Sequence, residues 1–150
     1  MKKIALLVGL SLLIGTVSAA QPSPFERARA TFAQKFPLSE SAEWASLENG
    51  YVVSFYDRES SRAGEMEFDH KGRWQETTLS LETNELSEEI LAYVDSNFVQ
   101  HYTTAYELRR RKRKQFYGLV VDTPTHIHTL LFRANGNLVE QYSEGVDGGK

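Results

Sequence analysis

Two stretches 64 residues apart, Phe68-Asp69-His70-Lys71-Gly72 and Phe132-Arg133-Ala134-Asn135-Gly136, each end an alternating run in a turn that closes on glycine. Around each of them the chain repeats one order, a helical period followed by a period of two. In the first half, Phe25, Ala28, Phe32 and Phe36 fall on one helix face, and Pro37 ends that helix because its ring clashes with the preceding turn. Strands are predicted over 43–47 and 51–57, joined through Glu48-Asn49-Gly50, where Asn49-Gly50 suits the positive φ of a tight hairpin. Further strands follow over 65–69 and 73–81, with Met66 and Phe68 turned to the core. In the second half Ser87 can cap a helix that carries Glu88 and Glu89 near its positive end and an apolar stripe of Ile90, Leu91, Val94 and Phe98. Strands are predicted over 103–110, 116–121, 126–134 and 138–142. The same offset superposes Trp44 on Leu108. Neither half, 21–82 or 83–144, is large enough to bury its apolar face alone. The expected fold is α+β, two helix-plus-four-strand repeats sharing one antiparallel sheet with the helices on one face, and residues 145–150 form a frayed tail.

The chain opens with Lys2 and Lys3, an apolar run from Ile4 to Ile14, and small residues through Ala20. The run is about half the roughly 20 residues a membrane anchor needs. It reads as a secretory signal peptide cut after Ala19 or Ala20, with the mature chain periplasmic or secreted and free of transmembrane segments. Cysteine is absent, which excludes a lipid anchor at the cleavage site and leaves stability to the hydrophobic core. Without Lys2 and Lys3 the 17 basic residues become 15 against 20 acidic, a formal charge of −5 rather than −3. Such a domain has no global pull toward nucleic acid.

A family likeness is carried by Lys35-Phe36-Pro37, by Trp44, by Gly50-Tyr51-Val52-Val53-Ser54-Phe55, and by Glu67-Phe68-Asp69 with Gly72-Arg73-Trp74. With the leader and the second strand set, these resemble the PepSY-like, beta-lactamase-inhibitor-like family of secreted bacterial proteins, over roughly residues 25–142. The resemblance implies an exported, non-enzymatic α+β domain and a binding or inhibitory role. It supplies no catalytic or contact motif to place on this chain.

Chemistry-bearing patterns are sparse. There is no cysteine, no Gly-x-Ser-x-Gly turn, no His-Glu-x-x-His helix, no phosphate loop and no cofactor fingerprint. No cofactor is expected. Asp57, Glu59, Glu65, Glu67 and Asp69 read as a solvated strand face rather than an acid–base pair. His126 and His128 share a strand face and could reach one metal, but no further ligands stand at a diagnostic spacing, and His70 and His101 lie in loops.

Two features remain. Arg109, Arg110, Arg111, Lys112, Arg113 and Lys114 are six consecutive cations at a predicted hairpin tip, expected to fan outward at one end of the sheet toward an anionic surface (lipid headgroups, lipopolysaccharide, an acidic glycan or a protein's acidic patch), or simply into water. Trp74 and Tyr56 form the second feature. If Leu79 and Leu81 face the helices, strict alternation puts Trp74 on the other side of the sheet unless a bulge intervenes. Trp74 and Tyr56 would then form a protein-docking face. The leading expectation is a non-catalytic module that docks an extracytoplasmic protein through that face, with inhibition of an enzyme or peptidase as one form of that role. The alternative is a binder of lipopolysaccharide, acidic lipid or acidic glycan through 109–114.

Overall fold

The computed structural model describes residues 21–112 and 114–146. The expected leader and its expected cleavage site lie outside these residues, as does the end of the expected tail. Helix α1 (Pro24–Lys35) precedes strands β1 (Ser39–Leu47), β2 (Gly50–Asp57), β3 (Arg62–Asp69) and β4 (Trp74–Leu81). Helix α2 (Glu88–Asn97) precedes β5 (Tyr102–Arg110), β6 (Lys114–Asp122), β7 (His126–Arg133) and β8 (Leu138–Gly145). All eight strands join in one antiparallel sheet in the order of the chain, β1 to β8. This is the α+β architecture expected, with a short 3-10 turn at Thr83–Glu85 added between the halves.

Each helix covers its own four strands. The α1 residues Ala28 and Phe32 pack on Val53, Phe55, Met66, Phe68 and Leu79, while Ile90 and Val94 of α2 pack on Ala105, Leu119, Val121, Leu130 and Phe132. Leu79 belongs to the first core and Leu81 flanks the second. Two positions apart on β4, they face the same way, so both helices lie on one side of the sheet. Aromatic rings knit the first core: Trp44 meets Phe32 edge-on at 5.7 Å and stacks on Phe68 at 5.7 Å.

Local chemistry explains the element ends. Ser23 and Glu26 make a reciprocal capping box at the start of α1, with the Glu26 amide donating to Ser23 Oγ at 3.2 Å and the Ser23 amide to Glu26 Oε2 at 2.8 Å. Ser87 holds the equivalent place on α2, but its hydroxyl makes no capping bond; its carbonyl accepts from Ile90 and Leu91 instead. Gly72 and Gly136 have φ of 73° and 79°, the left-handed turn geometry that glycine adopts without penalty. Each turn closes against the start of a helix: a Cβ on Gly72 would meet the Pro24 carbonyl oxygen at 1.9 Å, and one on Gly136 would meet Glu89 Cβ at 2.9 Å. The β3–β4 and β7–β8 pairs even share a register shift, at Glu67/Phe68 and Leu131/Phe132.

Two details differ from expectation. Leu47 pairs with Gly50, so the first hairpin turns on Glu48-Asn49 and not on Asn49-Gly50. Gly50 is an extended strand residue that lets the Phe68 carbonyl oxygen approach to 1.8 Å from where a Cβ would stand. The superposition of Trp44 on Leu108 also fails. Arg110 pairs with Lys114, so the second hairpin tip holds three residues, 111–113, where the first holds two. That extra residue breaks the 64-residue offset upstream of it. Trp44 consequently joins the helix-side core, whereas Leu108 points to the opposite face.

Where the two cores meet, on the helix side of the β4–β5 seam, an ion cluster is set beside Leu79, the ladder partner of Glu107. Glu107, 4% exposed, is held by Arg62 at 3.6 Å and by the guanidinium of Arg109, whose Nη2 donates to Oε2 at 3.2 Å. Arg62 also pairs with Glu85. A buried carboxylate here is tolerated because two guanidinium groups replace its lost hydration.

Candidate functional site: the open face of the sheet

The face away from the helices has no covering element among the described residues. Its surface is set by strand parity. β2 contributes Val52, Ser54 and Tyr56, and their partners across the ladder are Glu67, Glu65 and Ala63 of β3. β4 adds Glu76, Thr78 and Ser80, which pair with Arg110, Leu108 and Tyr106 of β5. Phe116 and Gly118 of β6 continue the face into Leu131 and Arg133 of β7 and Glu140 and Tyr142 of β8.

Small side chains line a shallow trough of about 350 Å³ along the middle strands, over Ser54, Ala63, Thr78, Ser80 and Thr104, ending at Tyr106. Tyr106 is positioned by an omission. Its ring lies over Gly118, its ladder partner, so closely that a Cβ there would stand 2.0 Å from Cζ. Gly118 has no positive φ, so it is present for space and not for backbone freedom. Burial, and then the nearby Glu76 carboxylate, push the Tyr106 hydroxyl above its ordinary pKa, so it stays a neutral phenol. Beyond it Leu108 and Leu131 are only 5% exposed, although no helix reaches them. The side chains of Tyr106, Arg110, Glu140 and Tyr142 wall them in, around a cavity of about 420 Å³. Arg110 of β5 and Glu140 of β8 approach to 3.7 Å above the two strands between them. This end of the face is therefore cupped rather than flat.

The residues singled out from sequence distribute unevenly. Tyr56 stands on the open face, 41% exposed. Trp74 does not join it. The register shift opposite Glu67/Phe68 pairs Trp74 with Phe68 and returns the indole to the helix side, against the first core. There its Nε1 donates to Thr77 Oγ1 at 2.9 Å and Lys35 Nζ lies 4.3 Å from its ring centre. Trp74 and Tyr56 therefore do not form one docking face.

The cations of the tip do not all fan outward either. Alternation sends Arg109 to the helix side, where its bonds to Glu107 raise its already high pKa further. Arg110 goes to the open face, donates to Glu76 Oε2 at 3.1 Å and lies 5.7 Å from the Phe116 ring centre. Arg111 and Lys112 are exposed in the turn, Lys112 with φ of 65°, and Lys114 is exposed on the open face. Arg113 lies outside the described residues.

The carboxylates separate by environment. Burial, followed by Glu76 and Glu65, raises the pKa of Glu67 on the open face. Asp69 closes the Gly72 turn; burial acts to raise its pKa, but hydrogen bonds from Arg73 and from the Lys71 amide outweigh this and hold it at about 2. His126 and His128 stack at 5.7 Å on the helix side of β7, their Nδ1 atoms in contact with Thr125 Oγ1 and Ser143 Oγ. Among the described residues no three histidine, aspartate or glutamate side chains are grouped to hold a metal, and no helix is long and apolar enough to cross a membrane.

Leu108, Leu131, Arg133 and Tyr142 were not singled out from the sequence as site residues. One signal was available: Leu130-Leu131-Phe132 is a continuous apolar run, and such a run places apolar side chains on both faces of a strand.

A one-layer antiparallel sheet backed by helices on one face, with the other face open and cupped, defines a class of α+β proteins built from two helix-plus-four-strand units. Within that class the chain belongs to the family described as "Putative beta-lactamase-inhibitor-like, PepSY-like", whose model matches residues 49–140. Solved structures agree in fold. A BLIP-like protein from Bacteroides fragilis superposes with a TM-score of 0.67 at 19% identity, covering 89% of this chain and 92% of that one. A DUF2874 family protein from Bacteroides ovatus gives 0.69 at 16% identity, over 82% and 89%. A protein from Bacteroides eggerthii described as a putative periplasmic protein gives 0.70 at 14% identity, over 82% and 90%. A search of curated proteins by sequence finds no match.

Proposed function

We propose that this chain is a non-catalytic, inhibitor-like module of the cell envelope that binds a protein partner through the open face of its sheet. The observation that carries the reading is the cupped apolar surface around Leu108 and Leu131, walled by Tyr106 and Tyr142 on the side that no helix covers. Aromatic walls around an apolar floor are what an interface hot spot requires, since rigid rings desolvate a large area at small entropic cost. The family name and the BLIP-like neighbour point the same way. The absence of nucleophile and cofactor motifs in the sequence supports a role without chemistry. An alternative, capture of an anionic envelope surface by the 109–114 tip, is weakened because Arg109 and Arg110 are each paired with carboxylates.

A photo-crosslinking residue placed at Tyr106 or Tyr142 tests the reading in cells that produce the protein. A single protein adduct is expected from both positions and none from Gln34, exposed on α1. Equal adducts from Gln34, or none from either tyrosine position, would overturn it.

A further inference from the structure

At the end of the open face where β5, β6, β7 and β8 turn, three cations converge. Arg110, Lys114 and Arg133 come from three adjacent strands and, with Gln115, Phe116 and Val139, line a cavity of about 440 Å³. Phe116 is the ladder partner of Arg133, and the Arg110 guanidinium lies 5.7 Å from its ring centre. One carboxylate, Glu140, closes the rim, 3.7 Å from Arg110. Glu76 holds Arg110 from the other side. Among the described residues neither Lys114 nor Arg133 has an ion-pair partner. Two cations are thus left over in a concavity that also has an aromatic wall.

We propose that this corner is a subsite for an acidic segment of the protein partner, one that lays an Asp or Glu carboxylate between Lys114 and Arg133 and an apolar side chain on Phe116 and Val139. The assignment rests on the open-face reading and names the chemistry of what docks there. Guanidinium and ammonium groups around a partly desolvated wall favour a carboxylate most where water is displaced, and the aromatic side selects a segment over a free ion. A protein fits better than a lipid surface because the rest of the face has the opposite sign. Glu65, Glu67 and Glu76 lie on the neighbouring strands, and Glu140 stands on the rim. A uniformly anionic plane laid across this face would meet those carboxylates as well as the cations, whereas a protein can alternate its charges to match.

The test is a two-dimensional amide NMR titration of the protein with the blocked peptide acetyl-Glu-Phe-Glu-Glu-amide, with the Gln-Phe-Gln-Gln peptide and phosphatidylglycerol vesicles as comparisons. The acidic peptide is expected to move the Lys114, Phe116, Arg133 and Val139 amides. Its affinity should fall at least tenfold in the paired variant Lys114→Glu/Arg133→Glu, and severalfold in the milder Lys114→Gln/Arg133→Gln. It should stay within twofold in Arg27→Glu/Arg29→Glu, which changes the net charge equally on the exposed side of α1. Amide dispersion identical to the parent protein verifies that the variants fold. Equal weakening by the two charge-reversed pairs, equal binding of the Gln peptide, or capture by vesicles without capture of the peptide would each overturn the subsite. If the subsite fails while crosslinks from Tyr106 and Tyr142 persist, the open-face reading stands without it; if those crosslinks are lost too, both fall.

Discussion

Replacing Gly118 by alanine adds one methyl group to the open face, and the structure says where it would go. The new Cβ would lie 2.0 Å from Cζ and 2.1 Å from Cε2 of Tyr106, far inside van der Waals contact. The backbone of Gly118 cannot yield, because it is laddered to β5 on one side and β7 on the other. The Tyr106 ring must therefore leave, giving up its packing over the strand. An overpacking cost of about 2 kcal/mol is expected. In a Tyr106→Ala background the three atoms nearest the new methyl, all of the Tyr106 ring and hydroxyl, are gone, and Gly118→Ala should be neutral or stabilising by up to about 0.5 kcal/mol, since glycine in a strand interior is itself unfavourable. The two substitutions should therefore couple by roughly 2 kcal/mol. In urea, with a slope on the order of 1.5 kcal/mol per molar, Gly118→Ala alone should move the midpoint down by more than 1 M, but hardly at all beside Tyr106→Ala. Equal midpoint losses in both backgrounds would show that Gly118 is required for its backbone and not for the ring above it, and the account of how Tyr106 is positioned would fail.

The two turn glycines give a paired prediction: Gly72→Ala, aimed at the Pro24 carbonyl at 1.9 Å, should lower thermal stability more than Gly136→Ala, aimed at the Glu89 side chain, each losing at least about 1 kcal/mol. Arg62→Ala leaves the buried Glu107 with Arg109 alone and should cost about 2 kcal/mol in chemical denaturation, whereas Arg62→Met with Glu107→Leu should cost much less. Glu67 has a folded pKa raised above 4.5, so it favours the native state at pH below its unfolded value and loses that contribution as pH rises through the folded value. Glu67→Gln should therefore stabilise at pH 7, by less than about 1 kcal/mol given its exposure, and leave stability at pH 4 nearly unchanged. Asp69, held at about 2 against 3.8, acts in the opposite sense: its contribution is present above pH 4 and is lost toward pH 2, so Asp69→Asn should flatten the acid limb of a stability–pH curve.

The order of elements was legible because each half switches once from a helical period to a period of two, and because Gly72 and Gly136 mark turns that need a left-handed residue. What escaped depended on one-residue events that leave no mark in composition. A single register shift carried Trp74 from the expected open face to the helix side. One extra residue in the 111–113 tip put Leu108 opposite to Trp44. The basic run looked unbalanced because its partners are distant or out of view: Glu76 lies on β4 and Glu140 on β8, and only Glu107, two residues from Arg109 on the same strand face, was within local reach. Strand alternation alone would have split Arg109 from Arg110. The cupped surface was the hardest to foresee, since its lining comes from three strands, β5, β7 and β8, that meet only in the folded sheet.

The strand order β1 to β8 has a consequence for how the chain acquires its structure. Each strand pairs with the one made just before it, so no segment waits for a distant partner and no connection crosses another. The entropic penalty of closing large loops, which slows most sheet proteins, is avoided here. A chain delivered from its N-terminus can add one hairpin at a time to a growing edge, with α1 already seated on β1 to β4 before α2 appears. The strand added last, β8, is exposed at all eight positions. Because β8 supplies Glu140 and Tyr142, the cupped surface is completed only by the final step, and a chain cut before β8 would fold most of its core yet leave the cup without its outer wall.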